Sequence, residues 1–172
     1  MPDTRLDARF SSEGASPTEW AAARKLLEDA AVFWISTVRP DGRPHVTPLI
    51  SVWIDESLFF CTGPEERKAK NLAHNPHVIL TTGSNAIDGG LDVVVEGDAV
   101  RVSDDGKLRR VADAYASKYG SDWRFGVRDG AFVHDAPHED SVALVYEVAP
   151  QTAFGFRKGD EFSQTRWRFQ HD

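Results

Sequence analysis

Three cationic side chains stand close together near the middle of the chain. Arg67 and Lys68 are adjacent, and Lys70 follows Arg67 by three residues. They lie where a predicted strand gives way to a predicted helix, so an anion bound there would meet backbone N–H groups and fixed positive charge. This pattern indicates a phosphate site. A solvated helix face is the competing interpretation, since Glu65 and Glu66 could pair with the same cations along the helix.

A second pattern is the alternation of polar and apolar side chains over residues 44–49, which Pro48 interrupts. A proline within a strand removes one donor from the hydrogen-bond ladder and belongs at an edge, at a bulge or beside a ligand. A planar ring lying against this edge could use the backbone groups that the proline leaves unpaired. From these residues alone, a simple edge strand is the better explanation.

A third pattern closes the chain, where residues 162–169 interleave aromatic and guanidinium groups. Such groups stack on or border flat heterocycles. The alternative is that Phe162, Trp167 and Phe169 pack in the core while the arginines face water. The residues themselves leave both interpretations open.

Other candidate motifs are weaker. His134 and His138 frame an acidic loop with Asp135 and Glu139. No further ligand accompanies them at a spacing typical of metal sites, so we expect no metal centre. The sequence has no glycine-rich dinucleotide fingerprint, P-loop or nucleophile elbow. The enzyme classes that depend on those motifs are therefore unsupported.

The composition limits the function further. With 27 Asp and Glu against 20 Lys and Arg, the chain lacks the basic balance of a general nucleic-acid binder. Its single cysteine, Cys61, excludes an internal disulfide framework and fits a reducing compartment. The sequence has no run of about 18 apolar residues. We therefore expect a cytoplasmic protein that binds neither nucleic acid nor a membrane.

The elements that must position these side chains can be predicted from periodicity and turn residues. The 172 residues fit one domain. We expect a flexible arm over residues 1–15 and a folded domain over residues 16–172, which begins with a capping box at Ser16. Short β-rich runs punctuated by turns predict strands at residues 33–38, 45–54, 58–62, 77–82, 91–102, 142–148, 152–156 and 163–169. Further helices are expected after Gly63 and Asp104, and residues 118–139 are expected to be irregular. The pattern predicts a mainly β protein, an antiparallel barrel with peripheral helices.

The order of these segments resembles the pyridoxamine 5′-phosphate oxidase-like, FMN-binding split-barrel superfamily. The resemblance rests on the runs PDGRPHVTPL, FFCTGPEERKAKNLAHNP, DVVVEGDAVRV and FSQTRWRF. More narrowly, the chain is similar to the flavin/deazaflavin oxidoreductase branch, whose members bind FMN or the deazaflavin coenzyme F420. The resemblance implies a split-barrel homodimer with the cofactor in the seam between the subunits.

The resemblance also implies roles for individual residues. The phosphate contacts carry over to Arg67 and Lys68, with Lys70 as a third contact and Thr62 just before the phosphate loop. The ring-lining strand corresponds to His45, Val46, Thr47 and Pro48. The closing strand of the opposite subunit would supply Trp167 and Arg168, with Gln164 and Arg166 assigned less securely.

Two departures from the family pattern bear on activity. The closing segment, residues 165–172, has no Arg-x-His motif of the kind that grips the substrate in pyridoxamine-phosphate oxidases, so we do not expect vitamin B6 oxidation. Asp92 stands where those enzymes place a glutamine that meets the flavin. A deazaflavin is compatible with both changes, and Lys68, Lys70 and Arg43 suggest a longer basic groove, so the sequence leans slightly towards F420.

The activity expected from the resemblance is hydride transfer between the cofactor ring and a small, planar, unsaturated substrate. The cofactor would carry the reaction, while the protein supplies orientation and a dry pocket. His45 is a possible proton donor, and water is the alternative. A non-catalytic carrier or sensor of FMN, F420 or another planar ligand is the competing function, because folds of this kind host both uses.

Overall fold

The computed structural model describes residues 1–136 and 139–170 of the chain. The helices are α1 Trp20–Asp29, α2 Arg67–Leu72 and α3 Asp105–Tyr119, with 3-10 turns at Ala8–Phe10 and Ser121–Trp123. The strands are β1 Asp3–Leu6, β2 Phe33–Val38, β3 Pro44–Leu49, β4 Val52–Ile54, β5 Ser57–Thr62, β6 His77–Thr82, β7 Gly90–Val102, β8 Gly126–Arg128, β9 Ala131–Ala136, β10 Glu139–Val148, β11 Thr152–Lys158 and β12 Ser163–Arg168. In the described part of the chain, no helix is long and apolar enough to cross a membrane.

The strands pair antiparallel, as the sequence predicts. One path runs β1-β12-β11-β7-β10-β5-β4, and a branch runs from β7 through β6 and β2 to β3. The long strand β7 joins the two halves of the fold. Its first part runs between β6 and β11, and its last residues, from Ala99 to Val102, pair with β10. The mainly β architecture is therefore confirmed. Among the described strands, β3 pairs with β2 alone and so lies at an edge, which accommodates Pro48.

The main core lies between α1 and the strands. Trp20 on α1 packs edge-on against Trp53, Trp167 and Phe169, with ring centroids 5.9, 5.4 and 4.8 Å apart. Edge-to-face packing at these distances is favourable for aromatic rings. Trp167 is 0% exposed. The inward face of β12 is therefore part of the protomer core, and α1 is held by the same aromatic cluster.

Gly155 on β11 makes room for the Trp167 ring. A Cβ atom built at Gly155 would lie 2.4 Å from Cη2 of Trp167. We expect Gly155→Ala to lower the free energy of unfolding by about 1–3 kcal/mol, because the core must shift to admit the methyl group. Chemical denaturation would measure this. At Gly89, where an added Cβ meets nothing within 4 Å, the same substitution should change stability by less than about 0.5 kcal/mol. Equal effects at the two glycines would contradict the proposed clash.

A second core cluster lies under α3 and interrupts one predicted strand. The sequence predicts a continuous strand over residues 45–54, but the structure divides it at Ile50 and Ser51 into β3 and β4. Side chains of α3 replace the missing strand partners: Tyr115 Oη donates to Ile50 O (3.2 Å), and Lys118 Nζ donates to Ser51 O (2.8 Å). Burial lowers the pKa of Lys118 to about 8. The break is stable because its backbone groups remain hydrogen-bonded.

The N-terminal prediction needs correction. Residues 1–15, predicted to be a flexible arm, contain β1, which pairs antiparallel with β12. Beyond β1, Ser12 N donates to Phe162 O at 2.9 Å. Helix α1 also begins later than the capping box predicts, at Trp20, and Glu19 at its N-cap makes no side-chain cap hydrogen bond. The backbone N–H of Thr18 is instead used by Thr165 Oγ1 on β12, at 2.9 Å.

Residues 118–139 also differ from the prediction of irregular structure. Helix α3 extends to Tyr119, and β8 and β9 then form a hairpin. Its turn residues, Asp129 and Gly130, have φ values of +53° and +69°. Asp-Gly is the pair that favours such two-residue hairpin turns. The aromatic residues of this segment pack on α3, where Phe125 lies edge-on to Tyr115 at 5.5 Å.

Candidate functional site

The cationic corner forms where β5 ends and α2 begins. The short helix turns one face towards the protein, which buries Lys68, Ala69, Asn71 and Leu72. Lys68 therefore points inward, whereas the neighbouring Arg67 is exposed. Because α2 has only six residues, we assign the attraction for an anion to these side chains. The structure thus places two cations at one corner, where Lys68 is buried and Arg67 faces solvent.

Two acidic side chains already accompany the cations. Glu66 accepts a hydrogen bond from Gly63 N at 2.9 Å with one carboxylate oxygen and pairs with Lys68 Nζ through the other. Lys70 Nζ lies 3.0 Å from a carboxylate oxygen of Glu65. Partial burial acts to raise the pKa of Glu66, but its bonds to Lys68 and Gly63 outweigh burial and lower it. The carboxylate of Glu66 is therefore a charged component of the corner.

Strand β3 carries its predicted ligand residues on two opposite faces. His45 and Thr47 lie on the inner face, opposite Thr37 and Ile35 of β2. Val46 and Pro48 lie on the outer face, where Val46 is 51% exposed. Helix α2 packs behind the inner face, where Asn71 Nδ2 donates to Thr37 Oγ1 at 2.9 Å.

Several polar atoms on this inner side are buried without a hydrogen-bond partner among the described residues. They are His45 Nδ1, Thr47 Oγ1, Arg39 Nε and Asn71 Oδ1. Buried polar groups are ordinarily paired, so unpaired ones call for an explanation such as a bound group. An anionic ligand with acceptor oxygens can accept from Arg39 Nε, from Thr47 Oγ1 and, in the tautomer that carries its proton there, from His45 Nδ1, whereas Asn71 Oδ1 is an acceptor only. The residues present therefore fit a phosphoryl-bearing cofactor.

His45 lies close enough to the cations of the corner for their charges to affect its pKa. Burial, together with the charges of Arg39, Lys68 and Arg67, lowers the pKa of His45 from its ordinary value of 6.5. The imidazole is therefore mainly neutral at pH 7. A neutral His45 offers one ring N–H and one acceptor nitrogen, which suits hydrogen bonding to a ligand better than donation of a proton from an imidazolium.

This pKa shift gives a testable pH dependence. In an NMR titration of the ligand-free protein, His45 should titrate below pH 6.5 and Arg67→Ala should raise its pKa, because one of the repelling charges is lost. Arg43→Ala serves as the control and should leave the titration unchanged. The unfolded chain binds this proton at the ordinary pKa, so His45 makes the folded state less stable as the pH falls below about 6.5. A His45 pKa at or above the ordinary value would contradict the placement.

A second cluster lies on the outer face of the sheet, around β11 and β12. Buried and outward residues alternate along β12, which places Gln164 and Arg166 beside Phe154 and Phe156 of β11. The N-terminal segment closes one side through Arg5 and other residues. Together they line a cleft of about 330 Å³. A cleft with aromatic walls and guanidinium groups can hold a flat, anionic or hydrogen-bonding group.

Three other predicted ligand residues lie apart from the corner. Trp167, predicted as a group that the opposite subunit places near the cofactor ring, has its side chain fully buried in the protomer core. Asp92 pairs with Lys158 of β11 at 2.9 Å, and two strands, β6 and β2, separate β7 from β3. Arg168 is exposed on the outer face of β12.

The structure therefore divides the predicted residues into two groups. His45, Thr62, Arg67 and Lys68 surround the corner, where Thr62 is buried at the end of β5, and Thr47 follows on the same face of β3 as His45. Gln164, Arg166 and Arg168 belong to the outer face of β12, which four strands separate from β3. The sequence analysis missed Arg39, Asn71, Phe154 and Phe156. The alternation Phe154-Gly155-Phe156 was the available signal, because it places both rings on one face of a strand.

Among the side chains that the structure describes, in residues 1–134 and 141–170, no three His, Cys, Asp or Glu groups come together as a metal site would require. His138 and the side chains of Asp135 and Glu139 lie outside the described part, so the acidic loop of the sequence analysis is not tested here.

Known proteins share this fold. A pyridoxine/pyridoxamine 5′-phosphate oxidase of Porphyromonas gingivalis is 32% identical over 115 residues, which are 64% of this chain and 50% of the relative. The chain thus spans about half the length of the curated relatives it matches first.

Two solved structures illustrate the range of the fold. A heme-binding protein from Mycobacterium smegmatis aligns with a TM-score of 0.66 and 15% identity, over 87% of this chain and 58% of that chain. An F420 reductase aligns with a TM-score of 0.52 and 22% identity, over 76% of this chain and 94% of that chain. At these identities the likeness concerns the fold, a split β-barrel. The family described as pyridoxamine 5′-phosphate oxidase matches residues 20–154, and the chain therefore belongs to that family.

Proposed function

We propose that this protein is a cytoplasmic oxidoreductase that holds FMN or F420 by its phosphoryl group and moves a hydride to or from a small, planar, unsaturated substrate. The carrying observation is the corner of Arg67 and Lys68 near His45, whose Nδ1 is buried without a hydrogen-bond partner among the described residues, as is Thr47 Oγ1 on the same face of β3. A phosphoryl ligand is bound by cationic side chains and by hydrogen-bond donors that have no other partner. Family membership supports the same assignment.

The roles that we propose for the cofactor and for each residue follow from their chemistry. The bound cofactor supplies the hydride chemistry at its ring. Arg67 and Lys68 hold the phosphoryl end, and Thr47 and His45 hydrogen-bond to the ligand beside it. His45, neutral at pH 7, orients the ligand, and water is the proton source that we propose. The protein thus contributes binding and orientation rather than a nucleophile.

We further propose that the active molecule is a homodimer with each cofactor shared between protomers. Trp34 and Val46, each 51% exposed, lie on the outer face of neighbouring strands. The same face continues in register through Thr81 and Val94 to Phe154. A continuous, partly apolar sheet face of this kind favours contact with another protein surface. In the proposed dimer, the outer-face cleft of one protomer and the corner of the other together hold each cofactor.

The structure changes the basis for choosing between FMN and F420. The sequence argument for F420 invokes a basic groove of Lys68, Lys70 and Arg43. Lys68 is buried against Glu66, and Lys70 is paired with Glu65. Two of the three cations therefore already have a carboxylate partner, which weakens the argument for a basic groove, and we propose FMN and F420 as equal candidates.

The identity of the cofactor is open to direct test. The purified protein should release a tricyclic molecule on denaturation, and its visible spectrum and mass distinguish FMN from F420. The reduced cofactor on the protein should then be reoxidised by a member of a panel of quinones, enones and tetrapyrroles. Release of neither cofactor, together with failure to bind either one when added, would contradict the proposal.

A non-catalytic carrier or sensor is the second candidate function. The likeness in fold to a heme-binding protein favours it. A bound cofactor that stays reduced in the presence of every acceptor in the panel would support the carrier, whereas turnover supports the enzyme.

A further inference from the structure

The carboxylate of Glu66 occupies the place where a phosphoryl group is proposed to bind. One of its oxygens accepts from Gly63 N at 2.9 Å, and the other pairs with Lys68 Nζ. We infer that Glu66 is an internal competitor that must leave before a phosphoryl ligand can enter. This inference rests on the proposed function, because it concerns the same corner.

The burial of the two partners shows which one can move. The side chain of Lys68 is 9% exposed, whereas that of Glu66 is 52% exposed. Lys68 is held in the protein by the packing of α2, but the carboxylate of Glu66 can swing into solvent without opening the core. The donors it would release, Gly63 N–H and Lys68 Nζ, are those that a phosphoryl oxygen would accept from. An exchange of one anion for another therefore requires only a side-chain rotation.

An internal competitor lowers the affinity of every anionic ligand by the same factor. The reason is that the bonds of Glu66 to Lys68 and Gly63 in the ligand-free protein must be broken before any of these ligands binds. Inorganic phosphate, which has no other contact to offer, is then expected to bind only weakly at the corner. A cofactor also makes contacts through its ring, and the free energy of these contacts offsets that of displacing Glu66. Glu66 thus restricts the corner to ligands that bind through more than their phosphoryl group.

A supporting role for Glu66 predicts the opposite change in phosphate affinity when its carboxylate is removed. If the carboxylate served to position Lys68 for the ligand, its removal would weaken phosphate binding. The neighbouring Glu65 offers a matched control, since it carries the same charge but pairs with Lys70 at the surface, with its own side chain 88% exposed. Exposed ion pairs contribute little.

The test compares Glu66→Gln with Glu65→Gln in the full chain. Calorimetric titration with inorganic phosphate, and fluorescence titration with FMN, should each show about tenfold tighter binding for Glu66→Gln, the effect of freeing charge-assisted donors. Glu65→Gln should stay within about twofold of the unchanged protein. Glu66→Ala, which removes the whole carboxylate arm, should act in the same direction as Glu66→Gln and serves if that variant fails to fold.

The outcomes separate this inference from the proposed function. Unchanged or weaker phosphate binding in Glu66→Gln overturns the competitor role, as does an equal gain in Glu65→Gln. Tighter phosphate binding with no FMN binding in any variant supports the role of Glu66 but contradicts an FMN site. FMN binding that depends on Arg67 yet is insensitive to Glu66→Gln supports the function and overturns the inference.

Discussion

Replacement of Arg67 by alanine together with Lys68 by methionine should weaken cofactor binding by at least about a hundredfold. Each cation is proposed to make a charge-assisted hydrogen bond to the phosphoryl group, and the loss of two such bonds is worth about 3–6 kcal/mol. Methionine keeps most of the buried volume of Lys68, so the packing of α2 should survive. The loss of Lys68 also leaves Glu66 facing the incoming anion, which adds repulsion in the same direction.

The chain supplies a matched control for this double variant. Arg24 and Lys25 are likewise adjacent on a helix, and they pair at the surface with Glu28 and Asp29. The corresponding Arg24→Ala and Lys25→Met double variant removes the same charge and should leave cofactor affinity within about twofold. Fluorescence or absorbance titration with FMN and F420 would measure both. Similar affinities in the two double variants would mean that Arg67 and Lys68 are ordinary surface charges.

Mixing two defective proteins should restore cofactor binding if the site is shared between protomers. Protein with the Arg67→Ala and Lys68→Met changes lacks the corner, and protein with Gln164→Ala and Arg166→Ala lacks the outer-face cleft. Each homodimer should bind poorly. In a two-fold dimer formed from one chain of each kind, one of the two sites has both halves intact. After co-refolding at equal amounts, about a quarter of all sites should bind cofactor normally.

The stoichiometry of tightly bound cofactor, measured by equilibrium dialysis, checks this expectation. Each variant refolded alone provides the baseline. The two clusters lie on β3 and β12, with four strands between them, and this separation is the reason for proposing a shared site. No recovery in the mixture, or a monomeric protein in sedimentation with full cofactor affinity, would contradict the shared seam.

Much of the fold follows from local signals. Period-two alternation and turn residues identify the strands of the barrel. Asp55 and Glu56, which lie between the strands predicted at residues 45–54 and 58–62, form a turn before β5 with φ values of +49° and +58°. The hairpin at Asp129 and Gly130 carried an equally clear turn signal, yet the surrounding aromatic residues obscured it. Those aromatics belong to a cluster under α3 that forms only when distant segments meet.

Local signals were weakest where one segment takes its hydrogen bonds from another. The N–H of Thr18 bonds to β12, so the chain stays extended past Ser16 and α1 begins later than its capping box indicates. Ser51 O accepts from Lys118, so the predicted strand can break without leaving a carbonyl unpaired. A one-dimensional pattern shows which donors need partners, but not which part of the chain supplies them.

The sequence by itself determined the antiparallel barrel, the cationic corner and the family to which it belongs, because spacing and residue type suffice for those. Only the tertiary structure decided the direction of each side chain. It buried Trp167 in the protomer core and left Arg166 outside, turned Lys68 inward against Glu66, and placed His45 and Val46 on opposite faces of β3. Periodicity assigns residues to two faces of a strand, but the packing of distant elements decides which face becomes the interior.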